Sequence, residues 1–407
     1  MSSPALRGRR GWARHLADRT AAAVAAAPGR RIPDLSGLPP LLADSGTFAT
    51  LRDRLGGSGP RGRHVGLASV PHGAKTYLAA ALALVAGERI CWIARDAEIG
   101  DRVAEELAAW LGDPAAVAVL EPRTALAYER SELVPDETAA RVAALSAWRG
   151  GGAAILVASV QALLQHTIRP EDLPVEPQTL RPGSRVAQTA LLAELLELGY
   201  DPVLEVAGKG EVARWGGLID VFPPSADLPI RIELFGDEIE SLRRFDPTDQ
   251  RSVGPASEVI LLPASEFLLP TGDSELRQRL AATLRSATAT ARLPERLAAD
   301  LERLAGPARA GAPLQADHAG IRGSGARSRA ADVGDAAEVW APLLAPATGL
   351  DHVASDALLV LDEPGDVAEA AGFLWRQAVA VSPRRPPRRP RHPSPRAAPR
   401  GAGPGRT

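Results

Sequence analysis

Residues Gly208 to Ser252 read GKGEVARWGGLIDVFPPSADLPIRIELFGDEIESLRRFDPTDQRS, and this stretch decides how the middle of the chain folds. Gly210, Gly216 and Gly217 interrupt short β-branched and apolar runs, as glycines do at a bulge or a close backbone approach. Pro223 and Pro224 then stop the strand. From Ile230 to Phe235, Ile230, Ile232 and Leu234 alternate with Arg231, Glu233 and Phe235. A Gly236-Asp237 turn leads into a second arm, Glu238 to Phe245. The alternation predicts a small β-rich unit with one buried face and one wet face.

The rest of the composition limits what surrounds this unit. At roughly 100 to 200 residues per domain, 407 residues suggest two to three domains. With 47 basic and 49 acidic side chains, the chain as a whole has no strong electrostatic bias toward nucleic acid or membrane. A single cysteine, Cys91, lies in the apolar run ERICWIARD. That rules out an internal disulfide and a multi-cysteine zinc site, and a cytoplasmic setting is expected. The longest apolar run, Tyr77 to Ala86, is about half of what a bilayer span needs, so no membrane partner is expected. Arg7, Arg9, Arg10 and Arg14 precede an alanine stretch without the apolar core of a targeting peptide, and residues 1–45 are read as an N-terminal helical arm.

Residues 46–168 show α/β patterning: an apolar strand at Ile90 to Ala94, a helix from Asp96 to Gly112, and a strand at Ala153 to Ala158. In that helix Ile99, Val103, Leu107, Trp110 and Leu111 recur at three-to-four spacing, with Asp96 as N-cap and Gly112 as C-cap. The glycine-hinged unit is assigned residues 169–253. A second α/β portion, 254–378, contains a Leu/Ala/Arg helical pattern from Leu276 to Leu304, a loop from Gly306 to Asp332, and a buried strand at Ala357 to Leu361. The central unit would therefore be an insertion in one α/β body. Residues 379–407 hold 8 Arg and 8 Pro without an acidic or aromatic residue and read as a disordered tail.

The segment SVPHGAKT, Ser69 to Thr76, ends in the Lys-Thr of a phosphate-binding loop and precedes the expected helix Tyr77 to Ala86. Both glycines that would let backbone N–H groups wrap a phosphate are replaced, by Ser69 and Ala74. Lys75 can still meet a phosphate and Thr76 a magnesium ion, which leaves weak ATP and magnesium binding open. Asp362-Glu363, after an apolar strand, imitates the acidic pair that holds magnesium and positions water in nucleotide motors, and reads equally as a strand-end turn with solvated carboxylates. No catalytic site and no required cofactor are expected. The seven histidines show no metal-binding spacing, and no Gly-x-Ser-x-Gly elbow occurs.

The wording of Gly208 to Ser252, with LLELGYDPVLEV (Leu195 to Val206) before it, resembles the UvrB interaction domain that transcription-repair coupling factors share with the excision-repair helicase UvrB. Leu120 to Leu145, EVILLPASEF (Glu258 to Phe267) and the LLVLDEP strand are similar to further parts of that family's N-terminal module. The resemblance covers roughly Leu51 to Ala378. It implies a P-loop-NTPase-like, degenerate RecA/helicase-type body with an inserted α+β domain, and UvrA as partner, with DNA engaged in the full-length family context. The implied contact residues are Lys209, Glu211, Arg214 and Trp215, with Gly216 and Gly217 shaping the backbone. The family usually places an arginine where Trp215 stands, beside Arg214. Trp215 then serves either as an apolar anchor or as packing under the sheet.

The resemblance implies a non-catalytic, UvrA-binding module of nucleotide excision repair. The alternative reading is a fragment of an ATP-dependent DNA translocase or helicase whose motor domains are encoded elsewhere. The arginine-proline tail reads either as the product of an out-of-frame or shortened gene or as a basic arm that binds nucleic acid nonspecifically.

Overall fold

The computed structural model describes residues 33–56, 65–126, 133–268 and 337–381, with isolated positions at 278, 282, 316, 317, 320 and 321. The first part builds a parallel sheet from β1 (Ile90–Ala94), β2 (Val117–Leu120) and β3 (Ile155–Ser159). Every residue of β1 and β3 is buried, as expected of parallel strands covered on both faces. Helices α1 (Gly46–Gly56), α2 (His72–Ala81) and α3 (Ala97–Leu111) cover one face, packing on Ile90, Trp92, Ile155 and Val157. Helix α4 (Pro135–Arg149) covers the other, against Cys91, Ile93, Leu156 and Ala158. Helix α3 begins and ends where its sequence predicts. The Asp96 carboxylate accepts the Ile99 N–H at 2.9 Å, and Gly112 closes the helix in the left-handed region at φ +63°.

The middle of the chain forms a six-stranded sheet covered on one face by α5 (Gln188–Glu197). Its strands are β4 (Asp201–Pro202), β5 (Glu211–Trp215), β6 (Leu218–Val221), β7 (Ile230–Phe235), β8 (Glu238–Phe245) and β9 (Ser252–Pro255), in sequential order across the sheet. Both arms of the expected hairpin coincide with β7 and β8. The inward row, Val212, Ile219, Val221, Ile230, Ile232, Ile239 and Leu242, packs on Leu191, Leu192 and Leu195 of α5.

The chain then returns to the first sheet. Strand β10 (Leu358–Leu361) pairs in parallel with β1, giving the order β10-β1-β3-β2, and α6 (Pro364–Val381) follows on the α4 side. Segments on both sides of the six-stranded unit therefore build one body. The expected boundary at 253 falls inside the unit, because the next stretch alternates between two cores. Val259 and Leu261 pack with the six-stranded sheet, whereas Ile260 and Leu262 pack with the body.

Four local expectations are corrected. The helix expected from Tyr77 starts at His72, since Pro71 leads into it and its carbonyl accepts the Ala74 and Lys75 N–H groups at 3.0 and 3.2 Å. The third strand starts two residues later than the expected Ala153, at Ile155, and ends one residue past Ala158, at Ser159. Helix α6 carries order to Val381, past the expected start of the tail at 379. Within the expected loop 306–332, Ala316–Asp317 pairs with Gly320–Ile321. The Leu276 to Leu304 helix, residues 1–32 of the arm and residues 382–407 lie outside the described residues, apart from positions 278 and 282. Among the described residues no helix is long and apolar enough to cross a membrane.

A buried ion cluster fastens the unit to the body. Glu266, at the end of the inserted unit, accepts from Arg123 Nη1 at 2.6 Å, Arg141 Nε at 2.8 Å and the Thr167 hydroxyl at 2.6 Å. Both arginines and Glu266 are shut off from solvent. Burial raises the Glu266 pKa, but the two guanidiniums outweigh it and hold the carboxyl below its ordinary value. Glu121, just past β2, goes the other way. Burial, then the charge and hydrogen bond of Asp101, push it up to about 7 against the pull of Arg141.

Glu266→Ala leaves two buried guanidiniums without their counter-ion and is expected to cost about 3–5 kcal/mol in urea unfolding; a loss below about 1 kcal/mol would show that solvent compensates them. Between its ordinary value of 4.5 and about 7, folded Glu121 holds a proton that the unfolded chain releases. Stability from this group is therefore full below the unfolded value and lost as pH rises through the folded one. The urea midpoint should fall from pH 5 to pH 8, and Glu121→Gln should flatten that fall.

Candidate functional site

The six-stranded sheet has its α5-covered face and an opposite face with two different ends. At one end, Phe222, Ala226 and Phe245 form a second small core with Val206 and Ala213. At the other end the β5–β6 and β7–β8 hairpins turn, and Gly320–Ile321 lies beside β5. The register puts Trp215, Leu218 and Glu233 in one row across the face, and Phe235 lies two residues further along the same row of side chains. Trp215 is 41% exposed and Phe235 82%, so two aromatic rings stand in solvent at one end of one sheet face.

The ground beneath them is rigid. Arg231 grips Asp220 with two parallel hydrogen bonds, Nε to Oδ1 at 2.8 Å and Nη2 to Oδ2 at 2.7 Å, and its guanidinium lies 4.9 Å from the centre of the Phe245 ring. The Asp220 hydrogen bond raises the Arg231 pKa against partial burial, so the charge is permanent. Next to it, Glu233 accepts from the Ser241 hydroxyl and lies 3.7 Å from Arg243. The surface is thus two aromatics on a lattice of paired, oriented charges.

The two-glycine turn sets the angle of Trp215. Gly216 sits at φ +58°, where a side chain is strained, and a Cβ on Gly217 would stand 3.0 Å from the Leu234 carbonyl oxygen. The Gln188 amide at the start of α5 donates to the Gly216 carbonyl at 2.6 Å, tying the turn to the helix.

The other expected contact residues are placed elsewhere. Arg214 pairs with Ile219 and so belongs to the α5-covered face, opposite Trp215. Glu211 folds back, its carboxylate accepting the Ala207 and Gly208 N–H groups at 2.7 Å each, and thereby holds the 207–210 loop. Lys209 donates to the Pro224 carbonyl at 3.3 Å. The structure therefore groups Trp215, Gly216 and Gly217 and separates them from Lys209, Glu211 and Arg214. Phe235 and Arg231 were missed as site residues. Their signal was in the sequence, since an aromatic in the outward row Arg231-Glu233-Phe235 contradicts a merely solvated face.

The nucleotide-like residues do come together. Lys75 lies in the first turn of α2 and Asp362-Glu363 directly follow β10, and Lys75 Nζ bridges the two carboxylates, 2.8 Å to Asp362 and 2.5 Å to Glu363. Partial burial pulls the lysine pKa down, but the two hydrogen-bonded carboxylates outweigh it and leave it raised. Thr76 is fully buried, donates to Glu106 at 2.7 Å and accepts from Trp110 Nε1 at 3.2 Å. Its hydroxyl thus points to protein partners, and the lysine is neutralised from within. Among the described residues no group of three or more His, Cys, Asp or Glu side chains is placed to hold a metal ion.

Comparison with known proteins agrees with this architecture. Residues 179–267 match the model of the UvrB interaction domain. The chain is 34% identical over 276 residues to a transcription-repair-coupling factor of Mycobacterium tuberculosis, covering 65% of this chain and 22% of the relative. It is 28% identical over 236 residues to that of Bacillus subtilis (55% and 19%) and 37% identical over 113 residues to that of Escherichia coli (28% and 10%). The chain thus spans at most about a fifth of the length of these relatives. Residues 179–267 are similar to UvrB interaction domains, and over about 65% of its length the chain is similar to transcription-repair-coupling factors, consistent with an N-terminal module of that family.

Proposed function

We propose that this chain is a protein-binding module of transcription-coupled nucleotide excision repair, and that the hairpin end of its six-stranded sheet docks on UvrA. The observation that carries the reading is the pair of exposed aromatics, Trp215 and Phe235, on the sheet face away from α5 within the segment that matches the UvrB interaction domain. Aromatic anchors surrounded by fixed charges are what energetic hot spots at interfaces consist of. Trp215 supplies apolar area where the resemblance expects an arginine. The neighbouring Arg231, locked to Asp220, offers an oriented cation to an acidic or carbonyl-rich partner surface. Gly216 and Gly217 set the approach, while Lys209, Glu211 and Arg214 support the hinge behind it.

The body is read as a degenerate P-loop-type fold without catalytic activity. A helix with a Lys-Thr pair near its start, next to an acidic pair at the end of a parallel strand, resembles the layout of a nucleotide motor. Here Ala74 continues a helix where a phosphate cradle would need glycine, and Asp362 and Glu363 occupy the lysine that a phosphate would claim. No ATP or magnesium is required by this arrangement.

Titration of the chain against UvrA should give saturable binding. Trp215→Ala with Phe235→Ala should weaken it at least tenfold, about 1.4 kcal/mol. Arg214→Ala should change it less than threefold, and an Arg214 effect as large as that of the aromatic pair would place the contact on the other face. Calorimetry with ATP and magnesium should show no saturable binding up to about 1 mM; tighter binding, abolished by Lys75→Ala, would restore a working nucleotide site.

A further inference from the structure

The β5–β6 hairpin closes on two glycines, with Trp215 opposite Leu218 in the last pair of the ladder. Of the two, Gly216 alone has a positive φ, the pattern of a type II′ turn. A loop without a Cβ has the widest conformational freedom a chain can offer, so it does not by itself fix the direction in which Trp215 leaves the sheet. Contacts from outside the loop do that. The Leu234 N–H of β7 donates to the Gly217 carbonyl at 3.0 Å, and the side-chain amide of Gln188 donates to the Gly216 carbonyl at 2.6 Å. The first contact comes from the neighbouring strand of the same sheet. The second comes from a residue 28 positions away and joins the turn to a different layer of the domain.

Gln188 is the first residue of α5, and it spends its amide on the turn although the helix start has little other support. Ala187 before it offers no capping side chain, and the first turn holds no acidic residue. The rest of α5 is firmly held. Leu191, Leu192 and Leu195 are buried against the sheet, and at the far end the Leu198 carbonyl accepts the Ala264 N–H at 2.8 Å, two residues before Glu266. The Gln188 hydrogen bond therefore ties a pliant loop to an element fixed along its length. Helix α5 covers one face of the sheet and Trp215 belongs to the other, so the glutamine stands behind the docking face and not on it.

We infer that Gln188 is a positioning residue of the docking face: by holding the Gly216 carbonyl it fixes the direction of Trp215, and partner affinity depends on it without a contact of its own. The inference rests on the docking role proposed for Trp215. An anchor held in its bound direction loses less conformational freedom on association, so the contribution of Gln188 is made before the partner arrives.

The test titrates the full chain against UvrA with three substitutions at one position. Gln188→Met keeps the reach and loses the donor, Gln188→Glu sets a carboxylate against the carbonyl, and Gln188→Arg keeps a donor. A carboxylate in the first turn favours a helix, so Gln188→Glu should leave the urea midpoint unchanged or raised while affinity falls, which a merely structural role would not produce. Gln188→Met and Gln188→Glu should weaken binding about fivefold, as expected for one hydrogen bond. Gln188→Arg should recover it to within about twofold, and in a chain carrying Trp215→Ala none of the three should change it further. Unchanged binding in the Met and Glu variants, or an effect that persists without Trp215, would overturn the inference. Fluorine magnetic resonance of the free chain, labelled with fluorotryptophan, separates this inference from the docking role. The Trp215 signal, identified by its loss in Trp215→Phe, should move or broaden in Gln188→Met while the other tryptophan signals stay; a Trp215 signal that also stays would overturn the inference. No binding of UvrA by the unaltered chain, with the Trp215 signal still dependent on Gln188, would overturn the docking role and leave the positioning contact standing.

Discussion

Glu266 is the constraint on which the arrangement of the two sheets depends. It stands at the far end of the inserted unit, and its two oxygens are spoken for by Arg123 and Arg141 of the body and by Thr167. Neither guanidinium has access to water, so each charge needs the other for its solvation. Around it the backbone stitches the same joint. The Tyr200 hydroxyl donates to the Leu262 carbonyl at 3.0 Å, and the Ala264 N–H to the Leu198 carbonyl at 2.8 Å. A unit held this way presents its outer face at a fixed angle to the body, which suits a docking surface better than a flexible tether would.

The second organising fact is that strand alternation divides a short sequence between two roles. Arg214 and Trp215 are neighbours in the chain, yet one belongs to the helix-covered face of the sheet and the other to solvent. The same parity puts Val259 and Leu261 into one core and Ile260 and Leu262 into another, so that one extended segment serves as the mortar between sheets. Because the period is two residues, a shift of one position exchanges inside for outside, and a contact motif cannot drift along such a strand without changing its partner.

The corner of Lys75, Asp362 and Glu363 joins residues far apart in the chain. Its charged residues meet in space although they are 287 and 288 positions apart in sequence. They serve each other, with Lys75 tying the end of β10 to α2 and Arg95 reaching Asp366 at the start of α6 at 3.5 Å. These contacts pin the returning strand to the sheet.

By itself the sequence determined those features that depend on local pattern. The strand Ile90 to Ala94, the capped helix over Ala97–Leu111, the hairpin of Ile230 to Phe235 with Glu238 to Phe245, and the returning strand near Leu358 all follow from periodicity, caps and turn residues within a few positions. The two-glycine turn was legible too, since Gly216 and Gly217 mark a turn in any fold. Only the tertiary structure decided that Arg214 faces the helix, that Glu211 caps its own loop, that Phe235 shares a sheet face with Trp215, and that Lys75 is held by Asp362 and Glu363. These depend on register between strands and on contacts between segments far apart in the chain, and single-residue chemistry does not encode which of two faces, or which distant partner, a side chain will meet.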